Sequence, residues 1–259
     1  MLLFLNDRYD ETFSCGVFAV NENQLNITTP DGTMDCYICR PNDSILPAVF
    51  LYMDVPGIRE ELRQMSRHIA DQGYVVFLPD LYYREGRVRF DLSKGKEELQ
   101  RMFAMGSKLT VEMVMRDTQG LIDYCKNEEN IDEKIGCVGY CMSGQFVVAA
   151  AGTFPDDVKA SASLYGTRIV TDKPDSPHLL ADKIEAELYL GFAEHDPFVE
   201  EFVIPRLTET LDANRVTYQL EVHPGTEHGF CFEERPAYHP EAAEKVWDRM
   251  FDLYGRTLV

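Results

Sequence analysis

One short stretch, residues 135–144, constrains the fold of this chain more than any other. It reads Ile-Gly-Cys-Val-Gly-Tyr-Cys-Met-Ser-Gly, and the apolar run Phe146–Ala151 follows it. The apolar start is typical of a buried strand, and the run that follows is long enough for a helix. Gly139 and Ser143 stand two positions before and after Cys141, and small residues there allow the backbone to reverse sharply. We therefore predict a strained backbone at Cys141 that lifts its side chain above the sheet.

Cys141 is accordingly the first candidate for a reactive residue. A nucleophile on a tight turn between a buried strand and a helix has this layout. The dipole at the start of a helix stabilises a thiolate, so the sequence predicts a lowered pKa for this thiol. The alternative is a buried, inert thiol, because free cysteine is among the most buried residue types. Ser143 is a second possible nucleophile, although small residues do not flank it in the same way.

Apolar runs that alternate with amphipathic segments predict one α/β domain over residues 1–259. The predicted sheet is mostly parallel, with helices on both faces. Residues 1–22 are interpreted as an N-terminal extension, and residues 81–108, rich in charges and aromatics, as an excursion that could cap a pocket. Strands are predicted at Leu25–Thr29, Thr33–Cys39, Ala48–Met53, Val75–Leu78, Ile135–Val138, Ala160–Leu164, Ala186–Gly191 and Thr217–Val222. Helices are predicted at Glu60–Gln72, Thr110–Cys125, Phe146–Ala151, Glu200–Ala213 and Pro240–Tyr254.

Composition excludes several classes of protein. The net charge of −19 argues against binding to a nucleic-acid backbone. No apolar stretch approaches membrane-spanning length, and the short apolar start lacks the basic region of a signal peptide. Seven cysteines, most of them in apolar runs, do not resemble a disulfide framework, so we expect reduced thiols and a cytoplasmic protein. Cys36 and Cys39 form a CxxC with no second pair of ligands, so neither a metal nor another cofactor is expected.

Reactive side chains follow four of the predicted strands. They are Asp54, Cys141, Asp196 and His228, and catalytic groups in an open α/β sheet gather at the carboxyl ends of its strands. The order nucleophile, acid, histidine along the chain is that of an α/β-hydrolase. Asp196 could instead cap the turn at Pro197, and His228 could be an ordinary loop histidine. His195, next to Asp196, is a rival base.

These segments resemble the dienelactone hydrolase family, the carboxymethylenebutenolidase-like α/β-hydrolases. The resemblance covers roughly residues 23–253 and rests on four segments in order. They are Pro-Asp-Leu-Tyr-Tyr-Arg at residues 79–84, Gly-Tyr-Cys-Met-Ser-Gly at 139–144, Gly-Phe-Ala-Glu-His-Asp-Pro-Phe-Val at 191–199 and Pro-Gly-Thr-Glu-His-Gly-Phe at 224–230. It implies an α/β-hydrolase fold and cleavage of a carboxylic ester or lactone.

The resemblance also implies a role for each site residue. Cys141 would attack the carbonyl carbon, His228 would carry protons, and Asp196 would hold the histidine tautomer. The backbone N–H groups of Met142 and Val55 would form the oxyanion hole.

Substrate contacts are implied in the same way. Arg84 would bind a substrate carboxylate, Tyr82 would line the pocket, and Asp54 would stand where the family has a carboxylate that contacts the resting thiol. The family member that defines that carboxylate has glutamate there. Two other positions depart from the family pattern: Phe232 stands where a second arginine is expected, and Ser143 replaces the usual glycine.

We therefore predict a hydrolase that cleaves a small ester or lactone through a Cys-His-Asp triad and a covalent thioester. The expected partner is a small-molecule substrate, with the protein a monomer or a small homo-oligomer. A general carboxylesterase or a thioesterase remains an alternative within the hydrolases. A non-catalytic binding or thiol redox-sensing protein with the same fold is the alternative outside them.

Overall fold

The computed structural model describes residues 20–259, and a single sheet of eight strands forms its centre. Most of the predicted extension, residues 1–19, lies outside the described residues, and residues 21 and 22 already belong to the first strand. The strands are β1 (Asn21–Thr29), β2 (Gly32–Arg40), β3 (Leu46–Tyr52), β4 (Val75–Pro79), β5 (Ile131–Tyr140), β6 (Val158–Leu164), β7 (Glu187–His195) and β8 (Tyr218–Glu227).

The strands follow the order β1-β2-β4-β3-β5-β6-β7-β8 across the sheet. β1 and β2 form an antiparallel hairpin around Pro30 and Asp31, and β2 is also antiparallel to β4. Every other pair is parallel. A parallel pair requires a crossover connection, which explains why α-helices separate the strands from β3 onward, except that a 3-10 helix (Pro177–Lys183) lies between β6 and β7.

Six α-helices surround the sheet. They are α1 (Glu60–Asp71), α2 (Lys96–Gly106), α3 (Val111–Lys126), α4 (Gly144–Thr153), α5 (Val203–Ala213) and α6 (Pro240–Thr257). Val49 and Tyr52 are three residues apart on β3, so their side chains face opposite sides of the sheet. The Tyr52 hydroxyl hydrogen-bonds to Thr118 of α3, whereas Val49 adjoins Gly136, whose Cβ position points at Tyr254 of α6. Helices therefore cover both faces, and the predicted mostly parallel α/β-hydrolase architecture is confirmed.

The parallel arrangement brings the carboxyl ends of β3, β5, β7 and β8 to one edge of the sheet. Asp54 follows β3, Cys141 follows β5, Asp196 follows β7 and His228 follows β8. Four residues that are far apart in sequence thus share one edge.

The region 81–108 differs most from the sequence-based description, because it contains the unpredicted helix α2. Its dense charges obscured the helical period, yet Gly95 begins the helix and Met102 provides a buried contact. Elsewhere the observed bounds lie within a few residues of those predicted, although β5 begins earlier and β7 and β8 extend further. Within residues 20–259, no helix combines the length and the apolar character needed to cross a membrane.

Candidate active site

The turn that carries Cys141 has a left-handed backbone conformation. Cys141 has φ +55°, and residues 141–143 form a single 3-10 turn that leads directly into α4. A Cβ atom at Gly139 would lie 2.5 Å from the Ser143 carbonyl oxygen, and one at Gly144 would lie 2.2 Å from the Gly166 Cα. Both positions therefore require glycine, and the strain at Cys141 is imposed by close backbone packing on either side.

Ser143 has a structural position within this turn. Its side chain is fully buried, and its hydroxyl donates a hydrogen bond to the carbonyl oxygen of Met53 at the end of β3. The hydroxyl is thus committed to a backbone acceptor and does not face a cavity. Ser143 ties the turn after β5 to the neighbouring strand rather than competing with Cys141 as a nucleophile.

His228 and Asp196 are joined by a hydrogen bond. The His228 Nδ1 atom lies 2.8 Å from Asp196 Oδ2, and the side chains are only 8% and 3% exposed. The Phe198 N–H donates to the other oxygen, Oδ1, at 2.9 Å. Asp196 therefore both organises its own turn and orients the imidazole. The rival base His195 is 71% exposed, and its Nε2 lies 3.7 Å from Glu194.

The second ring nitrogen of His228 is free to act. Within residues 20–259, Nε2 is buried and has no hydrogen-bond partner. The ring is packed between the rings of Tyr165 and Phe198, with centroid distances of 5.0 and 4.7 Å. Cys141 lines the same cavity as His228, but no hydrogen bond connects its Sγ to Nε2 in this part of the chain. The structure thus joins Asp196 and His228 directly, and Cys141 lines the same cavity as His228.

The Cys141 thiol is neutral at physiological pH. Burial raises its pKa to about 12 from the ordinary value of 9.0, and the negative charge of Asp54 acts in the same direction. A hydrogen bond from the Met142 backbone N–H and the charge of Arg235 oppose the shift but do not reverse it. The prediction of a lowered thiol pKa at the helix start is therefore wrong, because desolvation exceeds the helix dipole. To act as a nucleophile, such a neutral thiol would need a base that accepts its proton.

A cavity of about 810 Å³ opens beside these residues. Although the whole chain carries a net charge of −19, the cavity lining contains four arginines and only two glutamates. Seven of the lining residues belong to the segment 81–108, which forms one wall. The lining consists of Val55, Pro56, Ile58, Arg59, Glu61, Arg89, Phe90, Leu99, Met102, Phe103, Gly106, Ser107, Cys141, Met142, Thr167, Arg168, Phe198, His228, Glu234, Arg235 and Pro236.

Asp54 is fully buried beneath this cavity and holds two of the arginines. Its Oδ1 accepts from Arg59 Nη1 at 2.6 Å, and its Oδ2 accepts from Arg235 Nη2 at 2.5 Å. Both guanidinium groups lie over the ring of Phe232, at 4.7 and 4.8 Å from its centroid. Arg59 is also bound to Glu61, whereas the Nε and Nη1 atoms of Arg235 have no hydrogen-bond acceptor within residues 20–259. Of the two arginines that Asp54 holds, Arg235 is thus the one with donors left for a ligand.

Arg84, expected to bind a substrate carboxylate, lies elsewhere. It does not line the cavity, and its guanidinium donates to Asp31 at 2.6 Å and to the fully buried Asp117 at 2.7 Å. These two carboxylates neutralise it, and it also stacks on the Tyr83 ring at 4.4 Å. The arginine is committed to joining the β1–β2 hairpin to α3, so its position does not fit the expected role.

Tyr82 also lies behind the cavity wall rather than in it. It is 2% exposed, and its hydroxyl donates to the Val55 carbonyl oxygen at 2.7 Å. This bond fixes the loop after β3, in which Val55 lines the cavity together with Met142. Val55 and Met142, whose backbone N–H groups are expected to form the oxyanion hole, therefore line the same cavity as Cys141. Tyr82 supports that loop and does not touch the cavity.

Within residues 20–259, the other cysteines do not gather into a site. Cys36 and Cys39 are three apart on β2, so their side chains point to opposite faces of the sheet and cannot share an ion. Within residues 20–259, no three His, Cys, Asp or Glu side chains come together in a way that could hold a metal ion.

Sequence reasoning missed Arg59, Arg235, Glu61 and Phe198. Each was within reach of a local signal, because Arg59 ends the loop that contains Asp54, Glu61 lies in the first turn of α1, and Arg235 lies seven residues after His228. Phe198 stands two residues after Asp196. The sequence did not reveal that the segments carrying these four residues converge on one cavity.

Comparisons with known proteins point to one family. A model of the dienelactone hydrolase family matches residues 34–258. A protein of Synechocystis sp. named "Putative carboxymethylenebutenolidase" is 26% identical over 216 residues, which cover 82% of this chain and 87% of that protein. A protein of Methylorubrum extorquens with the same name is 27% identical over 89% of this chain and 79% of its own length.

Solved structures show the same fold. A crystal structure from Klebsiella pneumoniae, described as a "Putative Dienelactone Hydrolase", has a TM-score of 0.82 and 24% identity. The match covers 92% of this chain and 99% of that one.

Proposed function

Because the chain belongs to the dienelactone hydrolase family and is a hydrolase of the carboxylic ester class, we propose that it cleaves a small ester or lactone through a covalent thioester on Cys141. His228 carries the proton in both half-reactions, and Asp196 orients His228. The observation that carries this proposal is the left-handed Cys141 turn facing the same cavity as His228, whose Nδ1 is bonded to Asp196.

Acylation begins from a neutral thiol, because the Cys141 pKa is about 12. When the substrate carbonyl enters the cavity, the thiol proton passes to the free Nε2 of His228 as the Sγ–C bond forms. Asp196 stabilises the imidazolium that results. The protonated histidine then donates its proton to the departing alkoxide, and the C–O bond of the ester breaks.

Deacylation repeats the sequence with water. His228 takes a proton from a water molecule, the hydroxide attacks the thioester carbon, and Sγ leaves as a thiolate that recovers the proton from His228. In both steps negative charge develops on the carbonyl oxygen. The Met142 and Val55 N–H groups supply donors for that charge, and the Tyr82–Val55 hydrogen bond keeps the second of them in position.

Arg235 is a group well suited to bind an anionic part of the substrate, because Asp54 and the Phe232 ring hold its guanidinium in place. It lines the cavity and is 30% exposed, and it retains donors after pairing with Asp54. Arginine binds a carboxylate through two parallel hydrogen bonds, which fixes orientation as well as charge. We assign to Arg235 the role that Arg84 was expected to play.

The test is a hydrolysis screen of small esters and lactones, including cis- and trans-dienelactone. We expect turnover of at least one compound by the wild-type protein and its loss in Cys141→Ala. The matched control is Cys125→Ala, which removes a buried thiol from α3 and should retain activity. Unchanged turnover in Cys141→Ala would reject the nucleophile. A thioester as the preferred substrate would retain the mechanism but favour the thioesterase alternative.

A redox-sensing role is less well supported. Reversible oxidation of a sensor cysteine depends on thiolate character at neutral pH. A thiol with a pKa of about 12 lacks that character.

A further inference from the structure

The cavity extends well beyond the catalytic corner, into a branch that we call the apolar branch: Leu99 and Phe103 of α2 together with Phe198 after β7. These side chains are 41%, 43% and 51% exposed. Eight large hydrophobic residues are exposed within residues 20–259, and three of them are these lining residues. Isolated exposed hydrophobic residues are common, but a group of them facing one cavity is typical of a binding surface.

The apolar branch is continuous with the reacting groups. The Phe198 ring lies 4.7 Å from the His228 ring on one side and 6.3 Å from the Phe103 ring on the other. The Phe198 backbone is held by the Asp196 carboxylate, which also orients His228. A group attached directly to a carbonyl at Cys141 would therefore pass along Phe198 to reach α2.

The wall behind the branch is held in place. Arg101 of α2 lies over the Phe90 ring at 4.5 Å and donates to the Arg89 carbonyl oxygen at 2.5 Å. Phe90 also packs edge-on against Tyr82, with a centroid distance of 6.2 Å. These contacts order the wall without a ligand, and a largely preformed apolar cavity is typical of small-molecule sites.

The size of the space exceeds what a small lactone would fill. Pockets of about 300–1,000 Å³ enclose drug-sized ligands, and this cavity has a volume of about 810 Å³. A small polar lactone would occupy the corner near Cys141 and leave Leu99, Phe103 and Phe198 in contact with water.

We infer that the apolar branch binds an aromatic ring, or an alkyl chain of similar length, on the acyl or the alkoxy side of the substrate. This inference rests on the proposed function, and it identifies the substrates as carboxylic esters with a bulky apolar group. Contact with the branch holds the carbonyl near Cys141 and so raises kcat/KM for such esters.

The test compares a small ester with two esters that carry a phenylalkyl group, one on the acyl side and one on the alkoxy side. They are methyl acetate, methyl phenylbutyrate and phenylbutyl acetate, with hydrolysis followed by acid release. At least one phenyl ester should have a kcat/KM about tenfold or more above that of methyl acetate, since burial of several methylene equivalents contributes that much. Phe103→Ala should lower this preference about fivefold and leave methyl acetate within twofold of wild type. The matched control is Leu179→Ala, which removes another exposed apolar side chain, 52% exposed, that does not line the cavity.

The outcomes separate this inference from the proposed function. If methyl acetate is cleaved in a Cys141-dependent way but neither phenyl ester is preferred, the inference is wrong and the proposed function stands. The same holds if Phe103→Ala affects all three esters equally. If neither these esters nor any ester or lactone of the wider screen is cleaved, the proposed function fails, and binding of phenylbutyl acetate to Cys141→Ala is measured by calorimetry. A dissociation constant about fivefold weaker in Cys141→Ala/Phe103→Ala would still support the branch, and an equal one would overturn it.

Discussion

Replacement of Asp54 by Asn is expected to make the Cys141 thiol more reactive. Asp54 is fully buried, and its charge raises the pKa of the thiol, second only to burial. The substitution removes that charge and leaves Arg235, whose own charge lowers the thiol pKa, without its ionic partner. Both changes favour the thiolate, so Asp54→Asn should lower the pKa of the Cys141 thiol.

The magnitude follows from the thiol pKa. A pKa of about 12 against the ordinary 9.0 corresponds to about 4 kcal/mol against the thiolate, at about 1.4 kcal/mol for each pKa unit. At pH 8 about one thiol in ten thousand is ionised. Removal of one nearby like charge shifts a pKa by about one unit or more. We therefore expect the thiolate fraction in Asp54→Asn to rise about tenfold.

The assay is the rate of alkylation by iodoacetamide at Cys141, followed by peptide mapping so that each cysteine is measured separately. In the wild-type protein the rate should rise about tenfold per pH unit from pH 7 to 10 without a plateau. Asp54→Asn should react about tenfold faster at every pH in that range.

The matched control is Asp117→Asn. Asp117 is also a fully buried aspartate paired with an arginine, but its partner is Arg84, outside the cavity. Both substitutions disturb a buried ion pair and should lower thermal stability, whereas only Asp54→Asn should accelerate alkylation of Cys141. A plateau near pH 7 in the wild-type protein, or equal acceleration by the two variants, would refute the electrostatic account.

Three further predictions concern the ester that the screen identifies as the best substrate. Asp196→Asn should lower kcat about 10⁴-fold, because asparagine at this position holds His228 in the wrong tautomer. A loss below tenfold would mean that Asp196 is not the acid of the triad. Tyr82→Phe should lower kcat about fivefold with little change in KM, since one hydrogen bond of about 1 kcal/mol holds the oxyanion loop. Tyr218→Phe, which removes a remote hydroxyl bonded to a carboxylate, serves as its control, and equal losses would count against a role for the loop. Arg235→Gln should raise KM about tenfold for a carboxylate-bearing ester and leave a neutral one unchanged, whereas Arg84→Gln should alter neither KM. The opposite pattern would restore the expected role of Arg84.

The features that could be predicted from the sequence are those that depend on neighbours along the chain. The hairpin of β1 and β2, the alternation of strands and helices along the chain and the sharp turn at Cys141 all follow from local residue patterns. The clearest case is Gly139, where close approach of the Ser143 carbonyl leaves no room for a Cβ atom. The same reasoning placed Asp196 and His228 at the ends of adjacent strands, where they are hydrogen-bonded.

The features that were missed depend on contacts between distant segments. Arg84 stands in a familiar motif, but its partner Asp117 comes from a helix about thirty residues later and draws the guanidinium away from the cavity. The shift in the pKa of the Cys141 thiol was predicted in the wrong direction. The position of Cys141 at the start of a helix is visible in the sequence, whereas its burial and the approach of Asp54 are not. Helix α2 was missed because its apolar side chains face a cavity as well as the core, which weakens the helical period.

The central claim is that a covalent acyl group forms on Cys141 during turnover. The most direct measurement is rapid acid quenching of the wild-type protein during ester hydrolysis, followed by mass analysis of its peptides. We predict one acyl group on the peptide that contains Cys141, present during turnover and gone once the ester is consumed. An acyl group on a different residue, or product formation with Cys141 unmodified at every time point, would contradict the account.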